Sequence, residues 1–109
     1  MKLAYAIKFV ADMDKALAFH RDVLGLMLKF QSPEWSEFLT GETTLALHAA
    51  SEQNPAGKVQ LGFNTDDLAA FCAARGANGV TFTDPPRSVH GHSIARFLDS
   101  EGAETSISG

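Results

Sequence analysis

One cysteine, one tryptophan and one tyrosine occur in 109 residues, and the scarcities exclude several classes of protein. Cys72 has no second thiol, so no internal disulfide staples the fold. Its setting, DDLAAFCAARG, puts it on one helical face with Leu68 and Phe71, as a small buried apolar residue rather than a nucleophile. No run approaches the ~18 apolar residues of a spanning helix, and Lys8 and Asp12 interrupt the apolar N-terminus before a secretory core forms. The expectation is a cytoplasmic protein with no membrane partner. The nine basic residues are scattered and the net charge is -4, which excludes a stripe that would bind nucleic acid. A Ser-His-Asp order, a phosphate loop and an H-E-x-x-H motif are all missing. What remains, 45% hydrophobic and 20% charged, is the balance of one folded domain able to bury a core without metal staples.

Within that domain the chain repeats itself. LAYAIKFV reads as a strand, Asp12 as a helix N-cap, and Met13, Ala16, Leu17, His20 and Leu24 as the apolar stripe of a helix stopped by Gly25. LMLKFQ, WSEFLT and TTLALHA come next as three strands. After the polar segment AASEQNPAGK the order recurs. VQLGFNT is a strand, Asp66 or Asp67 caps the helix DLAAFCAARGAN, and Gly79 ends it. VTFTD, HSIARFLD and ETSIS are strands joined by PPRSVHG and SEG. The units are therefore βαβββ over about 1–49, a linker over about 50–58, and βαβββ over about 59–109. Gly41, Gly76, Gly79 and Gly102 fall at expected turns.

A four-stranded sheet with one helix has only one covered face, so the other must meet something. Two such sheets would make an α+β fold with a curved mixed sheet cup, its concave face lined by alternate strand residues.

FHRDVLGL at the end of the first helix and ARFLDSEGAE before the last strand, set in the paired βαβββ units, resemble the vicinal oxygen chelate superfamily of glyoxalase, bleomycin-resistance and fosfomycin-resistance proteins. The resemblance covers essentially the whole chain. It implies a cup that in the metal enzymes holds a divalent ion through His, Glu or Gln on the first and last strand of each unit. Carried over position by position, those places fall on Tyr5, Ala46, Gln60 and Ser106. Ligand atoms must present lone pairs at about 2.0–2.2 Å, and alanine has none. The family's metal site is read as degenerate, and no cofactor is expected.

Strand parity puts His48, Asn64, Glu104 and Ser108 on the same face as those four places. A divalent metal at a displaced site of His48, Gln60 and Glu104 is the alternative, against a His48 that is merely hydrogen-bonded near a strand end. His90 and His92 flank Gly91, which reads as a turn at the rim rather than a metal clip, with His92 able to touch a ligand. Trp35 and Glu37 share a face, and the repeat equates Glu37 with Arg96, so the two could pair or bind a ligand's polar group. Tyr5, Ile7 and Phe9 add apolar wall. Trp35 either lines the pocket or packs in a dimer interface.

The resulting reading is a metal-free member of the superfamily, a homodimer that binds a small organic ligand through Tyr5, Phe9, Trp35, Glu37, His48, Gln60, His92, Arg96 and Ser106. Two enzymatic alternatives stand beside it. One is a divalent-metal-dependent lyase, isomerase or transferase using the displaced site. The other is metal-free acid–base catalysis by Glu37, Glu104 or His48.

Overall fold

The computed structural model describes residues 1–89 and 91–109. They divide into two compact units, one of Ala4–Gln60 and one of Met1–Leu3 with Leu61–Gly109.

In the first unit, β1 (Lys2–Val10) leads through Asp12 into α1 (Met13–Ala18), then β2 (Met27–Phe30), β3 (Trp35–Leu39) and β4 (Thr44–Ala49). The strand order is β2-β3-β4-β1, with β1 and β4 parallel and the other pairs antiparallel. The helix starts where expected because the Asp12 carboxylate accepts the Lys15 backbone N–H at 3.1 Å, satisfying a donor that the first turn leaves orphaned. It does not continue as expected. From Phe19 to Val23 the backbone takes a π-helical turn, in which Leu24 N–H donates to Phe19 C=O at 3.0 Å. The widened turn rotates the residues beyond it, so Leu24 leaves the apolar stripe and is exposed. His20 stays on it, its Nδ1–H donating to Ala16 C=O at 2.7 Å while its ring packs on Phe38.

The α1 face of the sheet is closed by Leu17 against Phe38 and Leu47, with Val10, Met13, Ala16, Leu26, Leu28 and Leu45 around them. Each of the fully buried side chains Phe38 and Leu47 stabilises the unit by about 1.5–3 kcal/mol. The expected linker turns out to be part of this unit. Ala50 N–H donates to Val10 C=O, Gly57 N–H to Phe9 C=O and Phe9 N–H to Lys58 C=O, each at 2.9 Å, so residues 50–58 are a turn hydrogen-bonded to β1.

The second unit contains β5 (Val59–Asn64, from Leu61 on), α2 (Leu68–Ala77), β6 (Phe82–Val89), β7 (His92–Leu98) and β8 (Glu104–Ser108), in the order β5-β8-β7-β6. Its pairings repeat those of the first, parallel for β5 and β8 and antiparallel for the rest. Asp67, rather than Asp66, caps α2 by accepting Ala70 N–H at 3.0 Å. Leu68, Ala95 and Ile107 form its core, with Phe63, Phe71, Cys72, Phe82 and Phe97 packed on them. Cys72 is thus an apolar packing residue, half-buried on α2.

Two expectations are overturned. Pro85, Pro86, Arg87 and Ser88 belong to β6 and not to a loop; among the described residues of its unit β6 is paired with β7 alone, and a strand edge with two register shifts tolerates residues that lack an N–H. Gly76 lies inside α2 rather than in a turn, where an added Cβ would meet the Phe82 ring at 3.9 Å. No helix among the described residues is long and apolar enough to cross a membrane.

Candidate functional site

Alternation along the strands separates two faces in each unit. In the first, the face turned away from α1 carries a second cluster of Ile7, Phe9 and Ala46, with Tyr5, Trp35 and Ala50 packed against it. Sheet register explains the grouping. Trp35 lies opposite His48, which lies opposite Phe9; one row along, Glu37 lies opposite Ala46, which lies opposite Ile7. Five of the residues expected to bind a ligand, Tyr5, Phe9, Trp35, Glu37 and His48, therefore share one surface.

Trp35 organises it. Its ring meets Tyr5 edge-on at 5.7 Å and His48 edge-on at 5.8 Å, and His48 in turn lies 5.0 Å from Phe9. The indole Nε1–H donates to Glu37 Oε2 at 2.8 Å, and Lys29 Nζ lies 3.6 Å from the other carboxylate oxygen. His48 Nδ1 lies 2.7 Å from its neighbour's carbonyl, Ala49 C=O. A carbonyl only accepts, so the proton of that bond is on Nδ1, and Nε2 is an acceptor whenever the ring carries no second proton. Lys29 was not foreseen in this role, because its reach to Glu37 depends on the bulge that places Phe30, rather than Lys29, opposite Glu37.

The corresponding face of the second unit is polar. Gly62, Ser106, Arg96 and Asp84 succeed one another across β5, β8, β7 and β6, the counterpart of the Ile7–Ala46–Glu37 row. Arg96 Nη1 donates to Asp84 Oδ2 at 2.7 Å, and Arg96 Nε lies 3.9 Å from Glu104 Oε1. Arg87 donates to the same Asp84 oxygen at 3.0 Å, and Thr83 Oγ1 to Glu104 Oε2 at 2.8 Å. The hydrogen bond from Arg87, with the charges of Arg87 and Arg96 behind it, holds the Asp84 carboxyl below the usual carboxylate range. Arg96 and Glu37, which could pair or bind a ligand's polar group, each have partners inside their own unit. Arg87 escaped notice because its segment read as a connection, and Asp84 because it read as the last residue of the strand before it.

Gln60 is 5% exposed and is held by an interaction of its own, and Ser106 Oγ lies 3.5 Å from Leu61 C=O. His92 begins β7 as an exposed residue after Gly91, whose φ of 80° makes the turn; His90 lies outside the described residues. A hollow of about 500 Å³ lined by Asp12, Met13, Asp14, Leu17, Gln31, Ser32 and Pro33 contains none of the expected binding residues. Met13 and Leu17 belong to the α1 core, and the hollow is a packing groove beside that helix.

The places that would hold a family-type metal do not fit one. The Ala46 side chain has no lone pair, is fully buried and belongs to the cluster on which the Trp35 indole packs, while Tyr5 is engaged edge-on with the same indole. No group of three or more His, Cys, Asp or Glu side chains with metal-binding geometry occurs among the described residues.

A family model described as the Glyoxalase/Bleomycin resistance protein/Dioxygenase superfamily matches residues 2–107. The chain belongs to this superfamily. Solved structures agree on the fold. Methylmalonyl-CoA epimerase from Mycobacterium tuberculosis superposes with a TM-score of 0.80 at 19% identity, over 98% of this chain and 86% of that one. A hypothetical protein from Bacillus halodurans C-125 gives 0.80 at 18% identity over 98% and 92%, and a superfamily member from Vibrio splendidus 12B01 gives 0.68 at 15% over 99% and 98%. No curated protein matches the sequence. The α+β arrangement of two βαβββ units is the fold of this superfamily.

Proposed function

We propose that this superfamily member binds a small organic molecule on the Tyr5–Trp35–His48 face of its first unit, without the metal ion that the fold accommodates elsewhere. The observation that carries this reading is the placement of Trp35. Its indole packs on the Ile7–Phe9–Ala46 cluster and is fixed by Glu37, so the face is an aromatic wall with a polar anchor. Such a surface suits a ligand with an apolar body and few polar atoms. The displaced metal site is disfavoured because Glu104 is already engaged by Thr83 and Arg96, and Gln60 is buried and partnered. A homodimer is part of the same proposal, supported by the exposed apolar side chains Phe19, Val23, Leu24 and Met27 on the first unit.

The lone tryptophan makes the test direct. Fluorescence of the wild type is titrated with a library of small aromatic and aliphatic compounds, and metal content is measured after incubation with divalent salts and desalting. Saturable quenching or a spectral shift by library members, with no stoichiometric ion, is the expected result. A flat response together with about one bound ion per chain, lost in His48→Ala, would overturn the reading.

A further inference from the structure

The hydrogen bonds already made on the Trp35 face restrict the charge of its ligand. Both of its ring N–H donors are spent inside the unit, Trp35 Nε1–H on Glu37 and His48 Nδ1–H on Ala49 C=O. What the face still offers is mostly acceptors. The Glu37 carboxylate has lone pairs left after its single bond from Trp35, and its side chain is 15% exposed. His48 Nε2 keeps its lone pair when the ring is neutral, since the hydrogen bond of that ring is made through Nδ1. The Tyr5 and Thr44 hydroxyls, on opposed strand positions, either donate or accept. One cation, Lys29, stands 3.6 Å from Glu37, longer than a hydrogen bond, with its own side chain 52% exposed.

We propose, on the strength of the binding reading above, that the ligand is an organic cation: an arylalkylamine or similar molecule with an apolar ring body and an ammonium or amidinium N–H group. Its N–H donors meet Glu37 and His48 Nε2, and its charge gains from both the carboxylate and the aromatic rings of Trp35 and Tyr5. A carboxylate or phosphate ligand meets the Glu37 charge at the same place, with no ring N–H left to receive it. Lys29, half-exposed and beyond hydrogen-bonding distance, yields its position to the incoming cation.

Three probes of one shape separate the possibilities: 2-(1-naphthyl)ethylamine, 2-(1-naphthyl)ethanol and 1-naphthylacetate, each titrated into the full chain by ligand-observed NMR. The amine is expected to bind about tenfold or more tighter than the carboxylate, with the alcohol between them. Glu37→Gln keeps an acceptor for the indole N–H and is expected to remove most of the amine's preference over the carboxylate. Lys29→Ala, a change at an exposed position, is expected to strengthen amine binding, and it covers the case in which Glu37→Gln misfolds. Equal or tighter binding of the carboxylate, with the alcohol still bound, would overturn the cation assignment and leave the binding face standing. No binding by any of the three would overturn both.

Discussion

Trp35 donates its indole N–H to Glu37, two residues along the same strand, at 2.8 Å. Residues i and i+2 of a strand face the same way, so this contact holds the indole against the Ile7–Phe9–Ala46 cluster, edge-on to both Tyr5 and His48. Trp35→Phe keeps a ring but removes the donor. The expected cost is roughly 1–2 kcal/mol, read as a lowered urea midpoint at unchanged slope, because a mostly buried carboxylate loses its neutral partner. An unchanged midpoint would mean that the bond has no structural weight.

Ala46→Glu places a carboxylate at the position that the resemblance gives to a family ligand. In this chain that position is fully buried among Ile7, Phe9 and Trp35, so the charge has neither water nor a partner. The variant is expected to lose on the order of 3 kcal/mol or more and to acquire no stoichiometric metal, by denaturant unfolding and elemental analysis. A stable variant that binds an ion would show that the site is one substitution from the metal form.

Asp84 supplies a pH dependence. Its folded pKa lies below the ordinary value, chiefly through the Arg87 hydrogen bond and then through the charges of Arg87 and Arg96. A depressed carboxylate pKa contributes stability above the unfolded pKa, and that contribution fades as pH falls through the folded value. Asp84→Asn is therefore expected to melt below the wild type near neutrality and to converge with it in acid, below the usual carboxylate range. Parallel melting curves at every pH would remove Asp84 from the stability account.

Cys72 is expected to react slowly. Burial against the Leu68–Ala95–Ile107 cluster pushes its thiol pKa up, so little thiolate is present at neutral pH. Alkylation by iodoacetamide of the native protein, tracked by mass spectrometry, should lag far behind that of the urea-unfolded chain. Comparable rates would mean that α2 opens readily.

Much of the architecture is written in local pattern. Asp12 and Asp67 stand before apolar periodicity of period 3.6, alternation of period 2 marks the strands, and glycines such as Gly25 and Gly79 sit where φ is positive. These signals act within a few residues, which is why the two βαβββ units, the shared face of Tyr5, Phe9, Trp35, Glu37 and His48, and the superfamily were legible in the chain alone. Partners are a different matter. Glu37 takes Trp35 and Lys29, Arg96 takes Asp84 and Glu104, and the segment after Asn54 folds onto Phe9 because sheet register brings those atoms together. The π-helical turn at Phe19–Val23 and the run of β6 through Pro85 and Pro86 also depend on neighbouring strands and helices rather than on the residues themselves. Sequence thus determined the residue types lining the face. Only the tertiary structure decided which of their hydrogen bonds were already spent, because a donor is used up by whatever atom the register sets about 3 Å away.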